Sequence, residues 1–285
     1  MSNLRKPKSY LREISVSKNN SLVAEILATE KINTICENAN CPNRAECFSD
    51  STASILALGS ICTRNCKFCA VKKGKPQPID ETEPQRIANA VKKLNLASVV
   101  ITSPTRDDLE DGGAKHLSNC VLAVKKGCPN CKVELLIPDF KGNEKLLDII
   151  LNSSVDCISH NIEMPKNLYS KLRDFADFER SINILKYIKQ NSNILIKTGF
   201  MLGLGETEEE IYNLIKIIAE IQNESSTTLV LTIGQYFQPT KISFPVQKYY
   251  EENDFLKFAD FAKKLGIKKV FSGVFIRSSY KNNIF

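Results

Sequence analysis

Cys62, Cys66 and Cys69 stand within eight residues of one another in GSICTRNCKFCAVKKG, Gly59 to Gly74, with three and then two residues in the gaps. Thiolates bind zinc and iron–sulfur clusters, and both normally take four protein ligands. Three thiolates can hold three irons of a cubic four-iron cluster and leave the fourth open, as a catalytic zinc keeps a position for its substrate. A small molecule could then chelate the open iron. A zinc knuckle that borrows a fourth cysteine from elsewhere is the alternative. A second group, Cys36, Cys41 and Cys47 in CENANCPNRAEC, has gaps of four and five residues. Cys128 and Cys131 in CPNC have a spacing compatible with metal or a redox pair. They precede a strand, at the end away from the polar loops, which favours incidental loop thiols. Cys120 and Cys157 fall in an apolar helix and strand and read as small core residues. The two histidines, His116 and His160, supply a mixed Cys/His zinc site poorly.

The 285-residue chain is 42% hydrophobic and 25% charged, the balance of a soluble globular protein. Its net charge of +7 fits an acidic partner or nucleic acid, though its most common cause is an ordinary surface. No apolar run approaches the ~20 residues of a membrane span, and MSNLRKPKSYLREIS has no apolar signal-peptide core. A cytoplasmic, reducing setting is therefore expected. Ten cysteines in such a setting mean metal or redox chemistry rather than disulfides.

The cysteines need a scaffold. From Ser54 onward, apolar runs of the kind buried strands show recur: SILAL (54–58), ASVVITS (97–103), KVELLIP (from 132), VDCIS (155–159), ILIKTGFML (194–202) and TLVLTIG (228–234). Helical patterns lie between them. Pro84 opens one carrying Ile87, Ala88, Val91 and Leu94; others fall near 113–126, 143–152, 177–190 and 206–221. In the last of these, glutamates crowd the first turn, and Ile211, Leu214, Ile215 and Ile218 make the apolar face. A final helix near 251–265 leads to KKVFSGVF (268–275).

Six strand–helix alternations mean parallel βα units. The span from Ser54 to Gly234 is short for the ~250 residues of a closed eight-unit barrel. An α/β fold, a partial (β/α)6 TIM-like barrel, is expected, with a doubly wound sheet as runner-up. The expected organisation is an irregular cysteine-rich N-terminal extension (1–53), the barrel (54–240) and a short C-terminal extension (241–285). Within the first, Ser21 would cap a short helix carrying Leu22, Val23, Ile26 and Leu27, and CENANCPNRAEC reads as a loop. Sites of such barrels lie at strand C-terminal ends. There the chain places the first cysteine triad, TSPTRDDLEDGG, PDFKG, HNIE and GLGE in turn.

The pattern Cys-x3-Cys-x2-Cys, with Phe68 before the third cysteine, resembles the radical S-adenosylmethionine (SAM) superfamily. The second triad narrows this, because CENANCPNRAEC is similar to the auxiliary-cluster motif of the lipoyl synthase family. KPKSYLR (6–12) resembles that family's KPxWLR, with Tyr10 for the tryptophan. GSICTRNCKFC, ITSPTRDDLEDGGAKHL (101–117), LIPDFKG (136–142), HNIE (160–163), GLGET (203–207), GQYFQPT (234–240) and SGVFIRSSY (272–280) follow in family order. The sequence departs at SPT (103–105) where many members have SVD, at Met164 for threonine and at Asn65 for a common arginine.

The resemblance implies two [4Fe-4S] clusters. Cys62, Cys66 and Cys69 would hold the one whose open iron SAM chelates, and reductive cleavage of SAM would give methionine and a 5′-deoxyadenosyl radical. Cys36, Cys41, Cys47 and Ser279 of the terminal RSSY would hold the auxiliary cluster, whose sulfides are inserted at C6 and C8 of a protein-bound octanoyl-lysine. Ser278 and Ser279 closing a turn is the bland alternative. Asn161 and Glu163 would hold the SAM ribose, Lys197 or Arg106 its carboxylate, and Gly112 and Gly113 would allow close backbone approach. Asp107, Asp108 and Asp111 read equally as a capping cluster, and His160 as a structural residue; Gln235 and Tyr236 would line a substrate channel. Implied partners are octanoylated lipoyl carrier domains (E2 subunits or the glycine-cleavage H protein), an electron donor such as flavodoxin or ferredoxin, and an iron–sulfur carrier that repairs the cluster, with no nucleic acid and no membrane. The competing readings are a biotin synthase-like sulfur inserter, an RNA methylthiotransferase and a zinc-stabilised binding module.

Overall fold

All six apolar runs that the sequence marks between residues 54 and 235 form β-strands. The computed structural model describes residues 6–10, 18–50, 52–224, 227–280 and 284–285. These divide into two units, one from residues 14–65, 69–159 and 279–285 and the other from 1–13, 66–68 and 160–278.

The first unit begins with α1 (Lys18–Thr29), α2 (Ile35–Asn38) and α3 (Arg44–Ser49). Two expectations are corrected here. α1 starts at Lys18, so Ser21 lies inside it rather than at its cap, and Leu22 is exposed while Val23 and Leu27 are buried. CENANCPNRAEC is not a loop throughout, because it folds into α2 and α3 around Cys41. Elements of four and six residues are too short to write a helical period into a sequence. They are set by side-chain bonds instead. Thr34 Oγ1 accepts from the Glu37 amide at 3.2 Å to start α2. Asn20 donates to the Ala45 carbonyl at 3.0 Å and accepts from Ser49 Oγ at 2.6 Å, which ties α1 to α3.

The unit continues with β1 (Ser54–Leu56), β2 (Ile61–Cys62), β3 (Lys72–Lys73), α4 (Glu83–Lys93), β4 (Ser98–Thr102), α5 (Ala114–Gly127), β5 (Lys132–Leu136), α6 (Glu144–Leu151) and β6 (Cys157–Ser159). β1, β4, β5 and β6 pair in that order, all parallel. β4 is buried from Val99 to Thr102, the unbroken burial expected of a parallel strand covered on both faces. β2 and β3 form a separate parallel pair that closes the base of the cysteine loop, Cys62 opposite Lys73.

The second unit holds α7 (Tyr169–Leu172), α8 (Phe178–Asn191), β7 (Leu195–Leu202), α9 (Glu208–Asn223), β8 (Leu229–Gln235), α10 (Glu252–Lys264) and β9 (Lys269–Gly273). β7, β8 and β9 run parallel in that order. α9 starts on a capping box in which Thr207 Oγ1 accepts from the Glu210 amide and the Glu210 carboxylate accepts from the Thr207 amide. Its anticipated face of Ile211, Leu214, Ile215 and Ile218 is buried. Tyr10, where relatives of the resembled family carry tryptophan, is buried among Phe237, Tyr249 and Phe275, and its hydroxyl donates to the Tyr250 carbonyl. Burial pushes that phenol up to about 12. Leu11 and Arg12 of the same motif lie outside the described residues.

Candidate iron–sulfur sites

The cysteine loop leaves β1 and is fixed by a buried arginine that lies between the first two cysteines. The Arg64 guanidinium makes two forked pairs. Nε and Nη2 donate to Asp107 at 2.6 and 2.9 Å, and Nη1 and Nη2 donate to Asp139, each at 2.8 Å. The loop after β4 and the loop after β5 thereby hold the cysteine loop through one side chain. Its backbone amide also donates to Cys62 Sγ at 3.4 Å, a contact that suits a thiolate. Thr63 adds a backbone and a side-chain bond to the Thr105 carbonyl, both 3.0 Å, and Lys73 Nζ caps the Cys69 carbonyl. In the other unit, Lys67 donates to the Leu172 carbonyl and accepts from the Phe244 amide, each at 2.8 Å, beside half-buried Cys66 and Phe68.

The Arg64 side chain is 5% exposed and that of Asp139 1%. Arg64→Ala leaves two carboxylates without their cation, one of them fully buried, so the expected loss is about 3–5 kcal/mol in urea unfolding. Arg64→Lys keeps the charge but not the double fork and should recover only part of it. The composition of the loop did not single out Arg64. The available signal was an arginine framed by ligands and followed by two acidic loops.

The second triad is built on α2 and α3. Cys36 and Cys47 are buried and Cys41 is half-buried, and the Cys41 amide donates to the Cys36 carbonyl at 3.0 Å. Burial and the neighbouring thiols push Cys36 up to about 11 and Cys47 up to about 12. Desolvation is the main cause for both, with Cys41 adding to it at Cys36 and both Cys36 and Cys41 at Cys47, and a bound cation would relieve such a site. Three thiols form a donor set that suits an iron–sulfur cluster. The terminal motif reaches this triad. Tyr280 Oη donates to Glu46 at 2.8 Å, and Glu46 is the residue before Cys47. Ser279 is half-buried, and among the described residues its hydroxyl makes no hydrogen bond.

In the second unit, Asn161, Glu163, Lys197 and Ser278 come together. Ser278 Oγ donates to Asn161 Oδ1 at 2.7 Å, Lys197 Nζ donates to the Ser278 carbonyl at 2.5 Å, and Asn161 hydrogen-bonds Glu163. Burial raises the Glu163 carboxyl against the opposing pull of Arg173 and Asn161. Glu163 also holds a left-handed φ of 73°, with its amide on Gly199 and its carbonyl accepting from Met201, the kind of strain that a fixed framework sustains at functional positions. His160 is buried beside it, its carbonyl accepting from Thr198 Oγ1.

Other anticipated residues are engaged elsewhere. Arg106 is buried and directs its guanidinium to Asp108 and to the Leu58 and Gln77 carbonyls. Asp111 accepts from the Gly113 and Lys115 amides at the start of α5. Gly112 and Gly113 take φ of 57° and 85°, and a Cβ on Gly113 would lie 2.3 Å from Leu58 Cδ1, so packing already accounts for the second glycine. Gln235 is buried and bonded to the Tyr250 amide and Lys248 carbonyl, and Tyr236 Oη to the Phe244 carbonyl. Cys128 and Cys131 form a tight turn before β5, with Cys131 donating its amide to the Cys128 carbonyl. If they are bystanders, the Cys128→Ala/Cys131→Ala protein keeps the iron content of the unmodified chain. A clear loss of iron would make them ligands. Cys120 and Cys157 are fully buried.

Residues 56–218 match the profile of the radical SAM superfamily. The chain is 46% identical to a lipoyl synthase of Caldicellulosiruptor saccharolyticus, covering 98% of this chain and 97% of that one. It is 43% identical to the lipoyl synthase of Caldanaerobacter subterraneus subsp. tengcongensis, at 99% and 97% coverage. The chain belongs to the lipoyl synthase family. The family's Aquifex aeolicus member is 43% identical over 91% of this chain. Among solved structures, methylornithine synthase (PylB) superposes with a TM-score of 0.56 at 12% identity, covering 95% of this chain and 85% of that one. Streptococcus suis SuiB bound to S-adenosylmethionine gives 0.57 at 14% identity, covering 80% of this chain, which spans 53% of SuiB. These likenesses carry the fold alone. It is the α/β, partial TIM-like barrel of radical SAM proteins. Members of this superfamily work with a [4Fe-4S] cluster and SAM. Among the described residues no helix is long and apolar enough to cross a membrane.

Proposed function

We propose that the chain is a lipoyl synthase that inserts two sulfur atoms, at C6 and C8, into the octanoyl chain on a lysine of a carrier protein. Beyond the family match, one observation supports this reading most. The terminal RSSY motif bonds through Tyr280 to Glu46, beside Cys47, and leaves the neighbouring Ser279 hydroxyl uncommitted. This supports Ser279 as the oxygen ligand that would complete the three sulfurs of the second triad.

Alkyl C–H bonds have no useful acidity, so acid–base catalysis does not reach them, and the cofactor carries the hard step. The [4Fe-4S] cluster with SAM supplies a carbon-centred radical when bound. Cys62, Cys66 and Cys69 would hold it on a loop that Arg64 ties to Asp107 and Asp139. Asn161 and Glu163 present amide and carboxyl groups suited to a ribose. Lys197, grouped with Asn161 and Ser278, is the side chain for the amino-acid carboxylate of SAM, whereas the Arg106 guanidinium is paired with Asp108 and two backbone carbonyls. The auxiliary cluster is a substrate in this scheme: Cys36, Cys41, Cys47 and Ser279 carry it, and its sulfides leave into the product. Two insertions consume two SAM molecules. The partners required are an octanoylated carrier domain, a one-electron donor of the flavodoxin or ferredoxin type, and an iron–sulfur carrier that rebuilds the spent cluster.

Anaerobic incubation with SAM, a reductant and an octanoyl-lysine peptide, read by mass spectrometry, tests the proposal. The expected product carries two added sulfurs and appears with 5′-deoxyadenosine. Failure to form it with both clusters loaded overturns the assignment.

A further inference from the structure

Leu58 carries the chain from β1 into the cysteine loop, four residues before Cys62, and it does so with a left-handed φ of 64°. Gly59 follows at 84°. Glycine takes such a φ freely, but a γ-branched residue takes it only where the surroundings impose it. The surroundings of Leu58 are unusually complete. Its amide donates to Glu83 Oε2 at 2.8 Å, and the same oxygen lies 2.8 Å from His116 Nε2. Its carbonyl accepts from Arg106 Nη1 at 3.1 Å, and Arg106 is in turn oriented by paired bonds to Asp108 at 2.9 Å. Its side chain packs against Gly113, where no Cβ would fit. Glu83, Arg106 and His116 are all buried.

We infer that Glu83, oriented by His116, and Arg106, oriented by Asp108, are positioning residues that clamp the peptide groups on either side of Leu58 and so set the direction in which the Cys62 loop departs from β1. A buried carboxylate on the peptide before Leu58 and a buried guanidinium on the peptide after it hold the residue more firmly than neutral partners would, because charge-assisted bonds are about twice as strong. The clamp touches no cysteine and, by this assignment, no substrate. Its effect is on the precision of the loop that presents the cluster to SAM. The inference rests on the proposed function only for that last consequence, since the clamp itself is a property of the folded chain.

Glu83, His116 and Cys120 also bring their ligand atoms within 4.8 Å of one another, which raises a metal ion as the competing explanation. One oxygen of that carboxylate, Oε2, already accepts from the Leu58 amide and lies 2.8 Å from His116 Nε2, and a zinc measurement decides between the two explanations.

Hydrogen exchange on the intact protein, combined with SAM kinetics after cluster loading, tests the clamp. In Glu83→Ala, exchange over residues 58–64 rises about tenfold, the scale of one lost charge-assisted bond, while exchange in β7 and β8 is unchanged. The KM for SAM rises by a similar factor with the iron content retained. Glu83→Gln keeps an acceptor for the Leu58 amide and returns both readings to within about twofold of the unmodified chain. Unchanged exchange over 58–64 in Glu83→Ala overturns the inference, as does a uniform rise across the chain. So does stoichiometric zinc that Cys120→Ala removes. If the unmodified chain cleaves no SAM while the exchange result holds, the clamp stands and the functional reading falls.

Discussion

Alanine at Cys62, Cys66 or Cys69 should abolish 5′-deoxyadenosine formation, while alanine at Cys36, Cys41 or Cys47 should leave it measurable and abolish only sulfur insertion. The expectation follows from where the two triads sit. The first is on a loop at the end of β1, pinned by Arg64 to the loops that follow β4 and β5, the rim at which barrels of this kind place chemistry. The second is on two short helices that precede the first barrel strand. Removing one thiolate from the first leaves a cluster that neither binds SAM nor passes it an electron. Removing one from the second leaves that chemistry in place with no sulfur to deliver. The two measurements, 5′-deoxyadenosine by chromatography and thiolated peptide by mass spectrometry, are independent. If the Cys36 group proved necessary for SAM cleavage and the Cys62 group did not, the roles would be reversed.

The parts of this molecule that were legible in its sequence are those where a period or a spacing is long enough to stand out. The strands from Ser54 to Gln235 are continuous apolar runs because helices cover them, and α9 shows its face over four turns with a cap at its start. The six cysteines of the two triads stand out in the sequence by their spacing. The short helices α2 and α3 were not, since their form depends on Thr34, Asn20 and Ser49, whose polar bonds leave no pattern. The buried charges were missed for a related reason. Arg64, Asp139 and Glu83 look like surface residues in a composition, and only the loops that fold around them make them interior. Arg106 shows the converse: as a cation near a glycine pair it invited a cofactor role, and the structure spends it on the backbone of Leu58 and Gln77.

Ser279→Ala should still bind the Cys62/Cys66/Cys69 cluster and cleave SAM, yet fail to complete lipoyl formation. The two serines of the motif have different surroundings. Ser278 already donates to Asn161, and its carbonyl accepts from Lys197. Ser279, beside Tyr280 and its bond to Glu46, makes no hydrogen bond among the described residues. A half-buried hydroxyl that makes no hydrogen bond among the described residues, one residue from the Tyr280 anchor on Glu46, is the better candidate for a ligand. Tyr280→Phe should weaken the same function more mildly, because it removes the anchor and keeps the hydroxyl of Ser279. Ser279→Cys is the sharper test. A thiolate binds iron more strongly than an alkoxide, so the auxiliary cluster should assemble with full iron content and resist the loss of iron that sulfur release requires. Single-turnover sulfur insertion, compared with iron content by colorimetric assay, separates assembly from donation. Lipoyl product at the unmodified rate from Ser279→Cys would exclude labile serine ligation. Loss of sulfur insertion in Ser278→Ala with SAM cleavage intact, and none in Ser279→Ala, would move the ligand to the neighbouring serine. A fall in SAM cleavage in Ser278→Ala is expected instead, since that hydroxyl holds Asn161.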